Sequence, residues 1–392
     1  MENSKKVAIQ GAKVLTTTGW VEDATVVIES GKFVNIDRSD PSQSYNPEET
    51  KLVNAQGLLM LPGIIDLHGD TYERIVSPRP GITFPLSIAL VENDRSLLAA
   101  GITTSFCSIT DSFEPGVRSR DTGRAVIDFI LGEGKQILRC QHFIHIRHEE
   151  ANIKGHEELC EWLKSGKVQL LSINDHLPPP DNEPKMLRYL KGFRRRVSMS
   201  ESEIFDFIHQ IQEQRHSGEP QVEELVAIAH SRNIPLASHD DHTEARVALS
   251  RKRRVAIAEF PANVDLAAKS RDYGALVLMG APNLIRGGSH LGWMSVAEAI
   301  ENDVVDCLCS DYHYPSLFYA PFQIEYLGLM SFTQAWNLVS SHPAAAIGMD
   351  NCKGRIAPNL DADFILVSPH PRPFLNSIVS VYIAGQESVH YS

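Results

Sequence analysis

The stretch Leu61-Pro62-Gly63-Ile64-Ile65-Asp66-Leu67-His68-Gly69-Asp70 sets the reading of the whole chain. Pro62 and Gly63 punctuate the start of a short apolar run, and an imidazole and a carboxylate close it. The β-branched Ile64 and Ile65 favour a strand. His68 and Asp70 stand two residues apart, so on an extended chain both face the same way. Gly69 between them leaves room for close backbone approach. A side chain at position 69 is expected to leave both flanking groups in place.

The same pattern recurs along the centre of the chain. Candidate strands are Ile64 to Leu67, Thr103 to Cys107, His142 to Ile146, Val168 to Ile173, Pro235 to Ala237, Val255 to Ala258, Ala275 to Met279 and Val305 to Cys309. Helix-like stretches lie between most of them: Ser87 to Ala100, Arg120 to Leu131, His156 to Lys164, Glu219 to His230, Thr243 to Ser250 and Val296 to Asn302. About eight strand–helix repeats over about 290 residues predict an α/β fold of the (β/α)₈ TIM-barrel type. An open doubly wound sheet is the competitor, and no G-x-G-x-x-G follows an early strand to support it.

The chain ends differ from the centre. Ala24 to Glu29 and Gly31 to Ile36 read as strands near the start, as do Asp363 to Val367 and Ile378 to Ile383 near the finish. Neither end can build a sizeable core alone. Residues 1–58 and 354–392 are therefore expected to form one small β-sandwich beside a barrel over residues 59–353. Pro178-Pro179-Pro180 opens a charged, helix-leaning insertion at about residues 178–217, placed like a lid on one barrel face.

Of the 392 residues, 43% are hydrophobic and 22% charged, which excludes wholesale disorder. The formal net charge of −12 argues against a nucleic-acid partner. No apolar run approaches the roughly 18 residues of a membrane span. Met1 to Lys6 lead into a strand-like run rather than an apolar signal core. No membrane partner is expected, and the cytoplasm is the expected location. The six cysteines lack zinc-finger spacing, and Cys307 and Cys309 share one side of an apolar strand, so buried free thiols are expected.

Chemistry is indicated by what ends the strands. His145-Ile146-Arg147-His148-Glu149, Asn174-Asp175-His176, Ser238-His239-Asp240-Asp241-His242, Glu259 and Ser310-Asp311-Tyr312-His313 join His68-Gly69-Asp70. Barrel active sites sit at that end of the strands. One such ending is ordinarily a solvated residue; His and Asp at several separate strand ends suit zinc, manganese or iron. A remaining aspartate can take a proton from water beside the metal. A metal hydrolase is the reading these residues favour.

The chain resembles the amidohydrolase superfamily. Leu61 to His68 is similar to that family's entry into its first barrel strand. Gly354-Arg355-Ile356-Ala357-Pro358-Asn359-Leu360-Asp361-Ala362-Asp363 is similar to its return into the sandwich, usually G-x-I-x-x-G-x-x-A-D, with Asn359 in place of Gly. Where the superfamily commonly has H-x-H, this chain has His68-Gly69-Asp70. That departure points to the subgroup of α-D-ribose 1-methylphosphonate 5-triphosphate diphosphatases. So do Ser77-Pro78-Arg79-Pro80, Ala237-Ser238-His239-Asp240-Asp241, Met279-Gly280-Ala281-Pro282-Asn283, Arg286-Gly287-Gly288-Ser289-His290 and Ser310-Asp311-Tyr312. The resemblance implies hydrolysis of that triphosphate to a 5-phosphate and pyrophosphate, in phosphonate catabolism. It implies His68, Asp70, Glu149, His176, His239 and Asp311 as metal ligands. Glu149 would bridge, with His145, His148 or Glu150 as alternatives for that place, and Asp311 would ligate or orient the water and act as general base. Two Zn²⁺ ions are the expected cofactor, with Mn²⁺ or Fe²⁺ as alternatives, and a homodimer is the assembly the resemblance allows.

A small phosphorylated substrate also needs cations outside the metal shell, and arginine pairs two oxygens at once. Arg79 and Arg286 are the candidates, with Ser289 and His290 beside the Gly287-Gly288 anion nest. Lys191, Arg194, Arg195 and Arg196 read either as lid cations or as a solvated helix face. Arg251-Lys252-Arg253-Arg254 is expected to be plainly solvated. The alternative function is hydrolysis of a C–N bond, as a cyclic amidase or deaminase. Asp70 in place of a second histidine argues against it.

Overall fold

The computed structural model describes residues 6–38, 45–79, 81–178, 182–197, 199–289 and 292–391. Five strands come first: β1 (Lys6–Thr16), β2 (Gly19–Glu29), β3 (Lys32–Arg38), β4 (Thr50–Asn54) and β5 (Leu59–Pro62). The centre supplies β6 (Ile64–Gly69), β7 (Ile102–Asp111), β8 (Gln141–Glu149), β9 (Leu170–Asn174), β10 (Leu236–His239), β11 (Ile257–Glu259), β12 (Leu276–Gly280) and β13 (Cys307–Cys309). The chain returns through β14 (Phe364–Ser368), β15 (Ser377–Ile383) and β16 (Gln386–His390).

The first five and last three strands form one sheet in the order β16-β15-β14-β5-β1-β2-β3, with β4 also on β1. Strand β5 joins the two chain ends, pairing parallel with β1 and antiparallel with β14. The sheet folds over on itself, so that Phe33 N donates to Leu360 O at 3.0 Å. Phe33 and Phe364 set their rings 6.0 Å apart at a tilt of 46° over a core shared with Ile9, Met60, Leu366 and Tyr382. The expected two-ended β unit is thus built from one continuous sheet.

Strands β6 to β13 form the second sheet in sequential order, every neighbour parallel. It is a (β/α)₈ barrel. All eight strands fall where apolar runs predict them. The six expected helices form beside them, at Leu86–Ala99, Arg120–Leu131, His156–Lys164, Gly218–Ser231, Glu244–Lys252 and Val296–Glu301. Side-chain caps set several starts: Ser119, Thr243 and Ser295 each accept from a backbone N–H in the first turn.

The seam between first and last strands closes next to the candidate ligands. Asp311 N donates to His68 O at 2.8 Å and Asp70 N to Asp311 O at 3.0 Å. Fully buried Asp66 accepts from Ser310 N at 3.0 Å and Ser310 Oγ at 2.5 Å. A side chain at position 69 would press on groups at this seam other than the flanking His68 and Asp70. A Cβ there would lie 2.7 Å from Asp66 Oδ2, 2.9 Å from Ser310 Oγ and 2.9 Å from Tyr314 Cε1. Strand closure brings all three atoms against one Cα.

The insertion forms helices Glu183–Arg194 and Glu201–Gln214, packed on Phe193, Ile204, Ile208 and Ile211. Pro179 and Pro180 lie outside the described residues. Arg253 is buried rather than solvated, because it sits between two glutamates: Nε donates to Glu223 and Nη1 to Glu150, each at 2.9 Å. All six thiols are free, five of them buried. Among the described residues no helix is long and apolar enough to cross a membrane.

Candidate metal centre

Parallel strands send all their C-terminal ends to one face, and the ionisable groups collect there. His68 lies in β6 just before its end, while Glu149, His239 and Glu259 close β8, β10 and β11; His176 and Asp311 follow β9 and β13 by two residues. Asp240, Phe260 and Asp311 leave their strands at φ of 56°, 56° and 53°. Left-handed backbone is costly for residues other than glycine and gathers at functional sites. These turns set Asp240 beside His239 and Asp311 beside the main chain of His68.

Glu259, fully buried, is the hub of the floor. His68 Nδ1–H donates to its Oε1 and His239 Nδ1–H to its Oε2, both at 3.0 Å. Burial alone would raise this carboxyl; the facing imidazoles reverse that and hold it well below the usual carboxylate range. Glu149 does the same for His176. His176 Nδ1–H donates to its Oε1 at 2.5 Å and His176 N to its Oε2 at 3.1 Å. Burial opposes charge on His176, but Glu149 and Asp240 win and raise it to about 10. Strand alternation brings His145 to the same face: its Nδ1–H donates to Leu67 O at 3.0 Å, and its Nε2 stands 3.9 Å from Glu259 Oε1. Burial drops this imidazole to about 3, so it is neutral, and among the described residues its Nε2 has no hydrogen-bond partner.

His68, His176 and His239 are thus each pinned through Nδ1 by a glutamate, which leaves Nε2 as the nitrogen for a ligand. That is how carboxylates orient metal-ligating histidines. The Nε2 of His239 lies 3.4 Å from Arg147 Nη2. Asp240 Oδ2 lies 3.7 Å from His176 Nε2 and 4.0 Å from His239 Nε2. His176, His239 and Asp240 bring one ligand atom each within 4.8 Å of one another, and so do His68, His239 and Glu259. Imidazole nitrogen with carboxylate oxygen is a donor set that fits a divalent cation.

Two aspartates complete the ring. Asp70 Oδ2 accepts from Arg147 Nη1 at 2.9 Å. Burial would raise the Asp70 carboxyl, and the charges of Arg147 and Arg118 more than offset it, so it is lowered. Among the described residues nothing hydrogen-bonds the Asp311 carboxylate. Loss of water, with the nearby Asp70 charge, lifts it to about 7. A carboxylate poised there can accept a proton near neutral pH.

Two adjoining cavities open above the floor and share Arg147 and Asp240. One, of about 180 Å³, is lined by His239, Asp311, Arg286 and Ser289. Arg286 Nη1 donates to the Tyr312 hydroxyl at 2.9 Å. The other, of about 540 Å³, runs under the insertion past Glu149, His176, Lys185, Arg188 and Arg196. Arg79 is exposed and lines neither cavity, and His290 lies outside the described residues. Of the basic run in the insertion, Arg196 lines the mouth, held by Glu114 at 2.7 and 2.8 Å. Lys191, Arg194 and Arg195 line an outer groove with Leu187 and Phe205.

Sequence reasoning gave no individual role to Glu259, Asp240 or Arg147, and held His145 only as an alternative to Glu149. The period-2 rule applied to β8 would have put His145, Arg147 and Glu149 on one inward face. Nothing local could have shown that Glu259 meets His68, 191 residues away.

The amidohydrolase family model matches residues 178–387. The α-D-ribose 1-methylphosphonate 5-triphosphate diphosphatase of Escherichia coli (strain K12) is 31% identical over 330 residues, 83% of this chain and 86% of that protein. The chain belongs to the amidohydrolase family. This amidohydrolase is also similar to the dihydroorotase of Aquifex aeolicus (strain VF5), 25% identical over 137 residues, 33% of this chain and 28% of that one. The structure of the beta-aspartyl dipeptidase from Fervidobacterium islandicum AW-1 matches with a TM-score of 0.65 at 17% identity, covering 100% of this chain and 99% of that one. That likeness is one of fold. Family, barrel and donor cluster together make the protein a metal-dependent hydrolase.

Proposed function

We propose that this amidohydrolase hydrolyses α-D-ribose 1-methylphosphonate 5-triphosphate, releasing pyrophosphate and leaving the 5-phosphate. The observation that carries this reading is the charge of the larger cavity. Arg118, Arg147, Lys185, Arg188, Arg196 and Arg215 line it, against Glu114, Glu149, Asp175 and Asp240. A cationic mouth on a chain of net charge −12 suits a polyanionic substrate. Lys185 and Arg188 have no carboxylate partner among the described residues, so their charges are free to meet phosphoryl oxygens. The diphosphatase likeness over most of the chain supports the same reading.

In this reading the Nε2 atoms of His176 and His239 with the Asp240 carboxylate hold the ion, zinc being the one proposed, while His68 stacks 5.3 Å from His239 and Asp311 lines the cavity beside them. Asp70 and Glu149 stand in the same ring, tied to Arg147 and His176. When bound, a divalent cation here lowers the pKa of water and neutralises charge on the phosphoryl group. Asp311 takes the proton of the attacking water on its free carboxylate. Lys185 and Arg188 grip the triphosphate, and Arg286 stands in the smaller cavity for the phosphonate end.

The second reading is C–N hydrolysis, which the dihydroorotase likeness favours. Phosphorus NMR on the metal-loaded protein separates the two. Pyrophosphate and a 5-phosphate should appear together from the methylphosphonate triphosphate. An unchanged triphosphate, with dihydroorotate or a dipeptide opened instead, would transfer the function to the second reading.

A further inference from the structure

Arg147 is an unusual occupant for the middle of a metal centre. Its side chain is only 7% exposed. Nη1 donates to Asp70 Oδ2 at 2.9 Å, Nη2 lies 3.4 Å from His239 Nε2, and Nε has no partner among the described residues. It lines both cavities and forms the wall they share. Burying a guanidinium is costly unless carboxylates answer it. Here the answering group is Asp70, which the sequence reading put among the metal ligands.

We infer that the centre takes one divalent cation, with the Arg147 guanidinium standing where a second ion would go. Two ions would need Asp70 as a ligand and a carboxylate free to bridge. Asp70 is bonded to Arg147. Both oxygens of Glu149 are engaged by His176, and those of Glu259 by His68 and His239. The Nε2 atoms of His176 and His239 with Asp240 lie within 4.8 Å of one another and suffice to seat a single ion, with water or substrate completing its coordination. A second dication beside the guanidinium would be repelled by a fixed positive charge in a site with little water to screen it. Arg147 then supplies a permanent charge that cannot be lost by chelation or deprotonation.

The inference rests on the metal-hydrolase reading of the site and deepens it. It does not depend on which bond is cut, so the ion count and the substrate assignment can fail separately. The test is the metal content of the full chain, loaded with excess Zn²⁺ and desalted, beside electron paramagnetic resonance of the Mn²⁺-loaded protein. The wild type should hold one ion per chain and give the hyperfine sextet of an isolated Mn²⁺. Arg147→Met should free Asp70 and double the content, with an exchange-coupled spectrum; Arg147→Lys, which keeps the charge, should stay at one. A wild-type content of two ions with a coupled spectrum overturns the inference. So does a folded Arg147→Met that still takes only one ion. If Arg147→Met does not fold, the wild-type content and spectrum decide alone.

Discussion

The floor and the mouth of this barrel handle charge in opposite ways. On the floor, His68, His145, His239 and Glu259 are buried, sit on strands and are bonded to one another or to main chain. At the mouth, Lys185, Arg188 and Arg286 are exposed, sit on loops or the inserted helices, and lack carboxylate partners among the described residues. A buried charge left unpaired is expensive, so the floor has to be satisfied within the protein. An exposed cation costs little to leave open, so the mouth can wait for an anion from outside. The floor therefore sets the chemistry and the mouth sets the substrate. Substitutions on the two should be separable: floor changes lower turnover or metal affinity for every substrate, and mouth changes discriminate among them.

The largest effect is expected at Asp311. Asp311→Asn keeps the shape but removes the proton acceptor, and kcat should fall about 10²–10⁴-fold with the fold intact. Turnover like the wild type's would take the general base away from Asp311. Glu259→Gln comes next. It leaves one acceptor for two imidazole donors, so metal affinity should drop about 10–100-fold, as for other carboxylates that orient ligating histidines. The same change should cost about 1–3 kcal/mol of stability through an unmatched buried group. Chelator titration and thermal melts of the apo protein read these separately. An unchanged metal affinity would reduce Glu259 to a packing residue. The smallest effect is at the mouth. Lys185→Ala with Arg188→Ala should lower kcat/KM for a triphosphate about 10-fold or more while leaving a neutral ester near its wild-type value, since each lost charge-assisted contact is worth about 1.5–3 kcal/mol. Arg79→Ala, on an exposed turn outside both cavities, is the matched control and should change neither. A uniform loss on both substrates would erase the division between floor and mouth.

The same division explains what could be read in advance. The eight barrel strands were legible because each is a short apolar run ended by polar punctuation. His68, His176, His239 and Asp311 were legible because barrel geometry brings strand ends together. Glu259 stood at a strand end too, but its use is set by partners on β6 and β10, and such cross-barrel pairing leaves no local mark. Arg147 was hidden among His145, His148 and Glu149 until alternation along β8 is applied; His148 points the other way, to Asp111 at 2.7 Å. The insertion was found, but its phase was not. Lys185, Arg188, Tyr189, Gly192 and Arg196 repeat at helical spacing and face the mouth, while Leu187, Leu190, Lys191 and Arg194 take the outer side. A run of basic residues shows charge, and only the helix axis shows where that charge points.

The most direct test of the central claim is a comparison of kcat/KM on one zinc-loaded preparation for α-D-ribose 1-methylphosphonate 5-triphosphate, dihydroorotate and a β-aspartyl dipeptide. A cationic mouth over a metal floor predicts that the triphosphate is turned over with pyrophosphate release and that the two neutral-bond substrates are poor by about 10³-fold or more, the order expected when several charged contacts go unmade. Efficient opening of either C–N substrate, with the triphosphate untouched, would contradict it.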